Sequence, residues 1–329
     1  IDDEDDHDDA GEVHGSHITE TLASLWAEDV GYPLSDCYDM ARVAQFHSVK
    51  HGNYKAKLDY LDFNKKFILD IAHKLADLQE DDETLVFVEE LTKQRDLKSF
   101  ADIVTELDFP RFPPNKPDPL RILAKLPLSI YLTTSYYDFM ERALLLEGRT
   151  PRTRLCLWNL EPANIEEQHR FDPSYTPDPK NPVVYHLHGL ANYPSSMVLS
   201  EDDYLAFLSR LARGTPDGSG DHGIPPFLEA ELRESSLLLM GYRLQDWDFR
   251  VLFRGLLNTN ANLIRSRRPS VAIQFDPKDQ PGISSEKEAR DYLDDYFEIA
   301  NFRVQWGSSD DFVETLWQKW QRWNNGGES

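Results

Sequence analysis

The stretch VVYHLHGLANYPSSMVLSEDDYLAF, residues 183–207, decides how the rest of the chain is read. It opens on an apolar run, Val183-Val184-Tyr185, that predicts a buried strand over Val183–His188. Side chains alternate across a strand, so His186 and His188 are expected on one face. Gly189 then permits a sharp turn or the close approach of a ligand to the backbone. Further on, Ser200 is a good helix N-cap, and Glu201, Asp202 and Asp203 suit the positive end of the helix dipole. A histidine at the carboxyl end of a strand stands where open α/β sheets bind ligands. The alternative is a structural histidine beside a turn.

Outward from this stretch, short apolar segments alternate with helical ones. Strands are predicted at Ser129–Thr133, Ser236–Gly241, Ser270–Phe275 and Phe302–Trp306. Helices are predicted at Asp138–Leu146, Asp202–Leu211, Asp246–Leu257, Lys287–Tyr296 and Asp310–Trp320. Such alternation implies an α/β fold with a doubly wound, Rossmann-like parallel sheet. Residues Gly214–Pro226, rich in Gly, Pro and Asp, read as a loop. The first third of the chain is different. There, helical periodicity runs through Ile18–Val30, Asp39–Lys50, Ala56–Leu78, Glu83–Gln94 and Leu97–Leu107, until the proline-rich Pro110–Pro119 breaks it. The expected organisation is an acidic tail or loop over 1–17, a helical layer over 18–110 and a Rossmann-like core over 111–329.

Two more strand ends carry polar residues. At the first, Thr133, Thr134 and Ser135 precede Asp138 and a helix; small hydroxyls and free helix amides there can hold a sugar or phosphate. Ser135 or Asp138 can equally serve as a helix cap. At the second, the apolar strand ends at Gly241, and Asp246 can cap the following helix. Gly241 fits either a ligand approach or a tight turn. Asp248 and Arg250 read as surface or capping charges.

A chain of 329 residues with 40% hydrophobic and 12% aromatic residues can build one large core or two modest ones. A net charge of −23 argues against nucleic acid as partner, because phosphate contacts need clustered Lys and Arg. Two cysteines, Cys37 and Cys156, cannot form a four-cysteine zinc site and suit a reducing cytoplasm. No apolar run approaches a membrane span, and no signal peptide is visible, so neither membrane nor export is expected. The histidines of the acidic tract, His7, His14 and His17, read as part of a solvated segment rather than as metal ligands. The chain begins at Ile1 without a methionine, which reads as a piece of a longer protein.

Together, TTSYYDFMERAL from Thr133, NPVVYHLHG followed by VLSEDDYLAFL, and SLLLMGYRLQDWDFRVLF from Ser236 to Phe253 resemble the sirtuin-like NAD hydrolases. GYPLSDCYDMARVAQ and FRVQWGSSDDFVETLW add weaker echoes, so that the resemblance spans most of residues 18–320. These are relatives of the sirtuin deacylases that usually lack a zinc ribbon, often as effectors of anti-phage defence proteins. The resemblance implies NAD as substrate, no metal, further domains in a longer parent chain and compatibility with a homo-oligomer. It implies His188 as the catalytic histidine, followed by Gly189. Ser135 takes the place of the family's usual asparagine, which holds the nicotinamide ribose or the attacking water. Thr133, Thr134 and Asp138 would line the ribose side, and Gly241, Tyr242 and Asp246 the adenosine end. Tyr137 stands where the family has an acid, and the family's Gly-Ala-Gly pyrophosphate loop has no counterpart before Ile18. The rival implied reading is a module that binds NAD or an ADP-ribose derivative without cleaving it.

Overall fold

The computed structural model describes residues 15–108, 118–159, 175–213, 224–241, 269–274, 276–277, 284–298 and 301–324. Six parallel-paired strands lie among them. Strands β1 (Ile130–Thr133), β2 (Arg152–Leu155) and β3 (Val183–His186) form one ladder in the order β1-β3-β2. A second ladder joins β4 (Leu238–Leu239), β5 (Ser270–Gln274) and β6 (Phe302–Trp306) in that order. Every pairing is parallel, as the strand–helix rhythm requires. The chain is an α/β protein with a Rossmann-like plan, and Leu237, just before β4, packs against the core clusters of both ladders.

Strand β3 is buried at all four positions because β1 and β2 flank it and helices cover both faces. Val184 faces Met140, Ala143 and Leu144 of helix α7 (Phe139–Leu146). Val183, Tyr185 and Leu187 face Phe207 of helix α8 (Glu201–Arg213). Alternating residues of one short strand thus serve two different helices.

Helices α1 (Gly15–Val30), α2 (Met40–His51) and α3 (Asn53–Leu78) enclose Trp26, Val43, Tyr60 and Phe63, and this cluster continues into Met197 and Leu199. Helices α4 (Asp82–Lys93) and α5 (Phe100–Glu106) close a second cluster around Leu69, Val88 and Ile103. Tyr137 is packed against both. Its ring stacks on Phe100 at 4.1 Å, and its hydroxyl accepts from Asn64 at 2.7 Å.

One ion pair locks the two parts together. Lys57 of α3, 2% exposed, donates to Asp203 of α8 at 3.0 Å. Burial lowers the lysine's pKa against the opposing pull of Asp203. Asp203 also accepts from the amides of Leu199 and Ser200 and from Asn53, while its own amide meets the Ser200 hydroxyl. Ser200 and Asp203 therefore make the reciprocal capping box that starts α8.

Several elements differ from the sequence expectation. The predicted strand Val183–His188 ends at His186, and the predicted Leu97–Leu107 helix is a short 3-10 turn followed by α5, started by the Ser99–Asp102 capping box. Strand β2 and helices Pro119–Lys125 and Pro226–Glu234 were not expected; both of these helices have proline in their first turn, where its missing N–H costs nothing. Helix α1 starts at Gly15, inside the stretch expected to be tail. The predicted helix Asp246–Leu257, together with Tyr242 and Asp246 and the tract 1–14, lies outside the described residues.

Candidate active site

The carboxyl ends of β1 and β3 meet in one place. Thr133 is in register with His186, and the Leu187 amide donates to the Thr133 carbonyl at 2.8 Å. Beyond the strands, the Ala191 amide donates to the carbonyl of Tyr136 at 2.8 Å. The Tyr136 hydroxyl donates to the Val198 carbonyl at 2.5 Å, and the Val198 amide donates to the carbonyl of His188 at 3.0 Å. The segments 133–138, 186–191 and 197–200 are thus stitched into a single rim. Thr133, Thr134, Ser135, Asp138, His188 and Gly189 all belong to it.

His188 is 3% exposed, yet its Nε2 has no hydrogen-bond partner among the described residues. Its ring meets the edges of Tyr204 and Phe207, both at 5.4 Å between centroids. Burial pushes its pKa down to about 3, so the imidazole is neutral at neutral pH. A buried, unpartnered ring nitrogen costs stability and marks a place where a polar group from elsewhere would be welcome.

The two histidines do not share a face. His186 continues the strand and points with Val184 toward α7, whereas His188 lies in the turn after β3 and packs against α8. The alternation rule fails here because the strand stops two residues earlier than the apolar pattern suggested.

Gly189 has φ +83°, and a Cβ at this position would lie 2.3 Å from the Ser196 carbonyl oxygen. The close approach that requires glycine is therefore to the protein's own backbone. Ser196 is buried and well used: its hydroxyl accepts from the Leu190 amide at 3.0 Å, and its carbonyl accepts from Trp158 Nε1 at 2.8 Å. Beside it, Cys156 is fully buried, with its thiol pushed up to about 12 by burial and its amide donating to the His186 carbonyl at 3.0 Å.

At the end of β1 the turn is shaped by its own side chains. The Ser135 amide donates to Thr133 Oγ1 at 3.0 Å, and the Tyr137 amide donates to Ser135 Oγ at 3.2 Å. Among the described residues the Ser135 hydroxyl donates to no acceptor. Asp138 is the N-cap residue of α7 but makes no side-chain capping bond. Its pKa is raised, first by burial and then by the neighbouring Glu141. Gly241 stands at the carboxyl end of β4 with φ +75°, and among the described residues no atom lies within 4 Å of where a Cβ would project.

Sequence reasoning missed Glu141, Thr153, Lys57 and Ser196. Glu141 on α7 is buried and 2.9 Å from His186, and Thr153 on β2 donates to it at 2.7 Å. An acid in the first turn of a helix ordinarily reads as a dipole partner, and nothing in its spacing announced burial.

The parallel α/β fold is that of a Rossmann-like SIR2-like domain. The family model of that domain matches residues 129–300, and the chain belongs to this family. Over 101 residues it is 33% identical to the NAD(+) hydrolase ThsA of Acinetobacter baumannii (strain 532279). Over 101 residues it is 31% identical to the NAD(+) hydrolase ThsA of Bacillus cereus (strain MSX-D12). Each match takes in 31% of this chain and 18% of the relative, so only a minor part of either relative's length is represented. No helix among the described residues is long and apolar enough to cross a membrane.

Proposed function

We propose that this chain hydrolyses NAD to nicotinamide and ADP-ribose, as the effector part of a larger cytoplasmic defence or signalling protein. The observation that carries the reading is His188: buried, neutral, and with Nε2 unpartnered on the rim where β1 and β3 end. Membership of the SIR2-like family and the names of both relatives support NAD as the substrate.

The chemistry asks little of the protein beyond placement and dryness. Nicotinamide leaves a pyridinium as a neutral molecule, so no general acid is needed. The ribose passes through an oxocarbenium-like state, as in glycoside hydrolysis, and water adds to its anomeric carbon. The attacking oxygen becomes strongly acidic as the new C–O bond forms, and His188 Nε2 is the acceptor for its proton, which then passes to solvent. Even the weak base that burial creates suffices at that stage. In this reading Thr133, Thr134 and Asp138 line the ribose, Ser135 orients the water with its free hydroxyl proton, and Gly189 holds the turn. Gly241, Tyr242 and Asp246 serve the adenosine end, and the helices of residues 18–110 form a layer over the core.

The deciding experiment is nicotinamide release from NAD by the purified chain, with His188→Ala beside it. Loss of a proton acceptor is expected to lower turnover by about 10²–10⁴-fold. Turnover untouched by His188→Ala would remove the assignment. One observation favours a second reading, NAD binding without cleavage: the Ser135 side chain already accepts from Tyr137 and is shorter than an asparagine. Ser135→Asn separates the two. Tight NAD binding by calorimetry with no nicotinamide release from either form identifies a sensor.

A further inference from the structure

The assignment of His188 leaves its neighbour without a task, although His186 is the more firmly held of the two. It ends β3 with 0% exposure. Nδ1 lies 2.9 Å from the carbonyl oxygen of Ser135, and Nε2 lies 2.9 Å from Oε1 of Glu141. A carbonyl oxygen only accepts, so Nδ1 carries a proton. Glu141 Oε1 also accepts the Thr153 hydroxyl, 2.7 Å away. One carboxyl oxygen has two lone pairs and can serve both contacts, while the second oxygen of Glu141, Oε2, is buried with no hydrogen-bond partner among the described residues. The His186–Glu141 contact, with the Thr153 hydroxyl on the same oxygen, is a hydrogen-bonded set sealed between β3, α7 and β2.

The function of such a pair follows from what its far end grips. The bonds from Ser135 to Thr133 and from Tyr137 to Ser135 shape the turn after β1 internally. The bond from His186 fastens that shape to the central strand, through a backbone atom that no side-chain change at position 135 removes. We propose that His186 and Glu141 are positioning residues: by clamping the Ser135 carbonyl they set the Thr133–Ser135 turn at the rim of the site. Their effect on catalysis rests on the reading of this rim as the place where NAD is cleaved.

Glu141→Ala and Glu141→Gln test the clamp, with nicotinamide release giving kcat and KM and amide hydrogen exchange followed by peptide. Exchange is measured well below the melting temperature of each variant. Removing the carboxylate in Glu141→Ala is expected to lower kcat by about tenfold to a hundredfold, the scale of a small misplacement of reacting groups, with a smaller change in KM. Exchange should accelerate in the peptide covering residues 131–139 and stay unchanged across residues 60–70. Glu141→Gln keeps a partner for either protonation state of the imidazole and should hold kcat within about fivefold. Exchange that is unaltered in residues 131–139, or accelerated everywhere, overturns the clamp, as does a glutamine variant as impaired as the alanine one. If the parent chain releases no nicotinamide, the NAD reading fails by itself, and local exchange still decides whether the clamp exists.

Discussion

His186 and His188 are separated by one residue, are both buried, and live in opposite electrostatic worlds. His186 has an oxygen partner at each nitrogen, the Ser135 carbonyl on one side and the Glu141 side chain on the other. His188 has aromatic edges around it and, among the described residues, no partner for its Nε2, and its pKa falls to about 3. The difference comes from where β3 stops. A strand that continued to His188 would have turned both rings toward α7. The turn swings His188 to the α8 side, so one histidine is held at both nitrogens and the other is left, among the described residues, without a partner for Nε2.

The comparison can be broken at the α8 wall. Lys57 holds Asp203, and Asp203 starts the helix that presents Tyr204 and Phe207 to His188. Lys57→Ala strands a buried carboxylate and should cost about 3–5 kcal/mol in urea unfolding. A loss near zero would mean that the His188 wall stands without the ion pair.

Acid sharpens the contrast. A histidine whose pKa is depressed in the fold takes up a proton in the unfolded chain first. Stability therefore falls as pH drops from about 6.5 toward 3. Between pH 6.5 and 5 His188 alone accounts for about 2 kcal/mol. Comparing urea curves at those two pH values for the parent and His188→Gln should show a correspondingly smaller acid loss in the variant. Equal losses would show that His188 is not held neutral.

The smallest effect is expected at Asp138, whose carboxylate is disfavoured by burial and by Glu141. Asp138→Asn should melt at the same temperature or higher at neutral pH while NAD turnover falls. A lower melting temperature would show that its charge stabilises the start of α7.

Much of this was legible in the sequence wherever a local signal carried it. The apolar run of β3, the hydroxyl-rich turn after β1 and the Ser200 cap each announce themselves within a few residues. Strand β2 did not, because Arg152-Thr-Arg-Leu155 lies at the edge of its ladder and looks polar; Arg152 is exposed and stands over the Tyr175 ring at 3.9 Å, while Arg154 is buried. Lys57 and Glu141 were illegible for a related reason. A charged residue on a helix is ordinarily exposed, and each is buried here only because a partner far along the chain arrives to meet it. Tyr137 was read as a departure from the family's acid, and the structure gives it a different use, as the ring that joins two clusters of the helical part.

The buried thiol of Cys156, whose amide is bonded to the His186 carbonyl, also makes the chain its own gauge. Of its two cysteines, Cys37 is partly exposed and Cys156 is sealed, and a thiol pushed to about 12 does not react until it is uncovered. A maleimide dye should therefore couple at once to Cys37, placing a reporter on the segment between α1 and α2. The slower second coupling would then time the parting of β2 from β3, the event that also releases the two histidines from their separate roles.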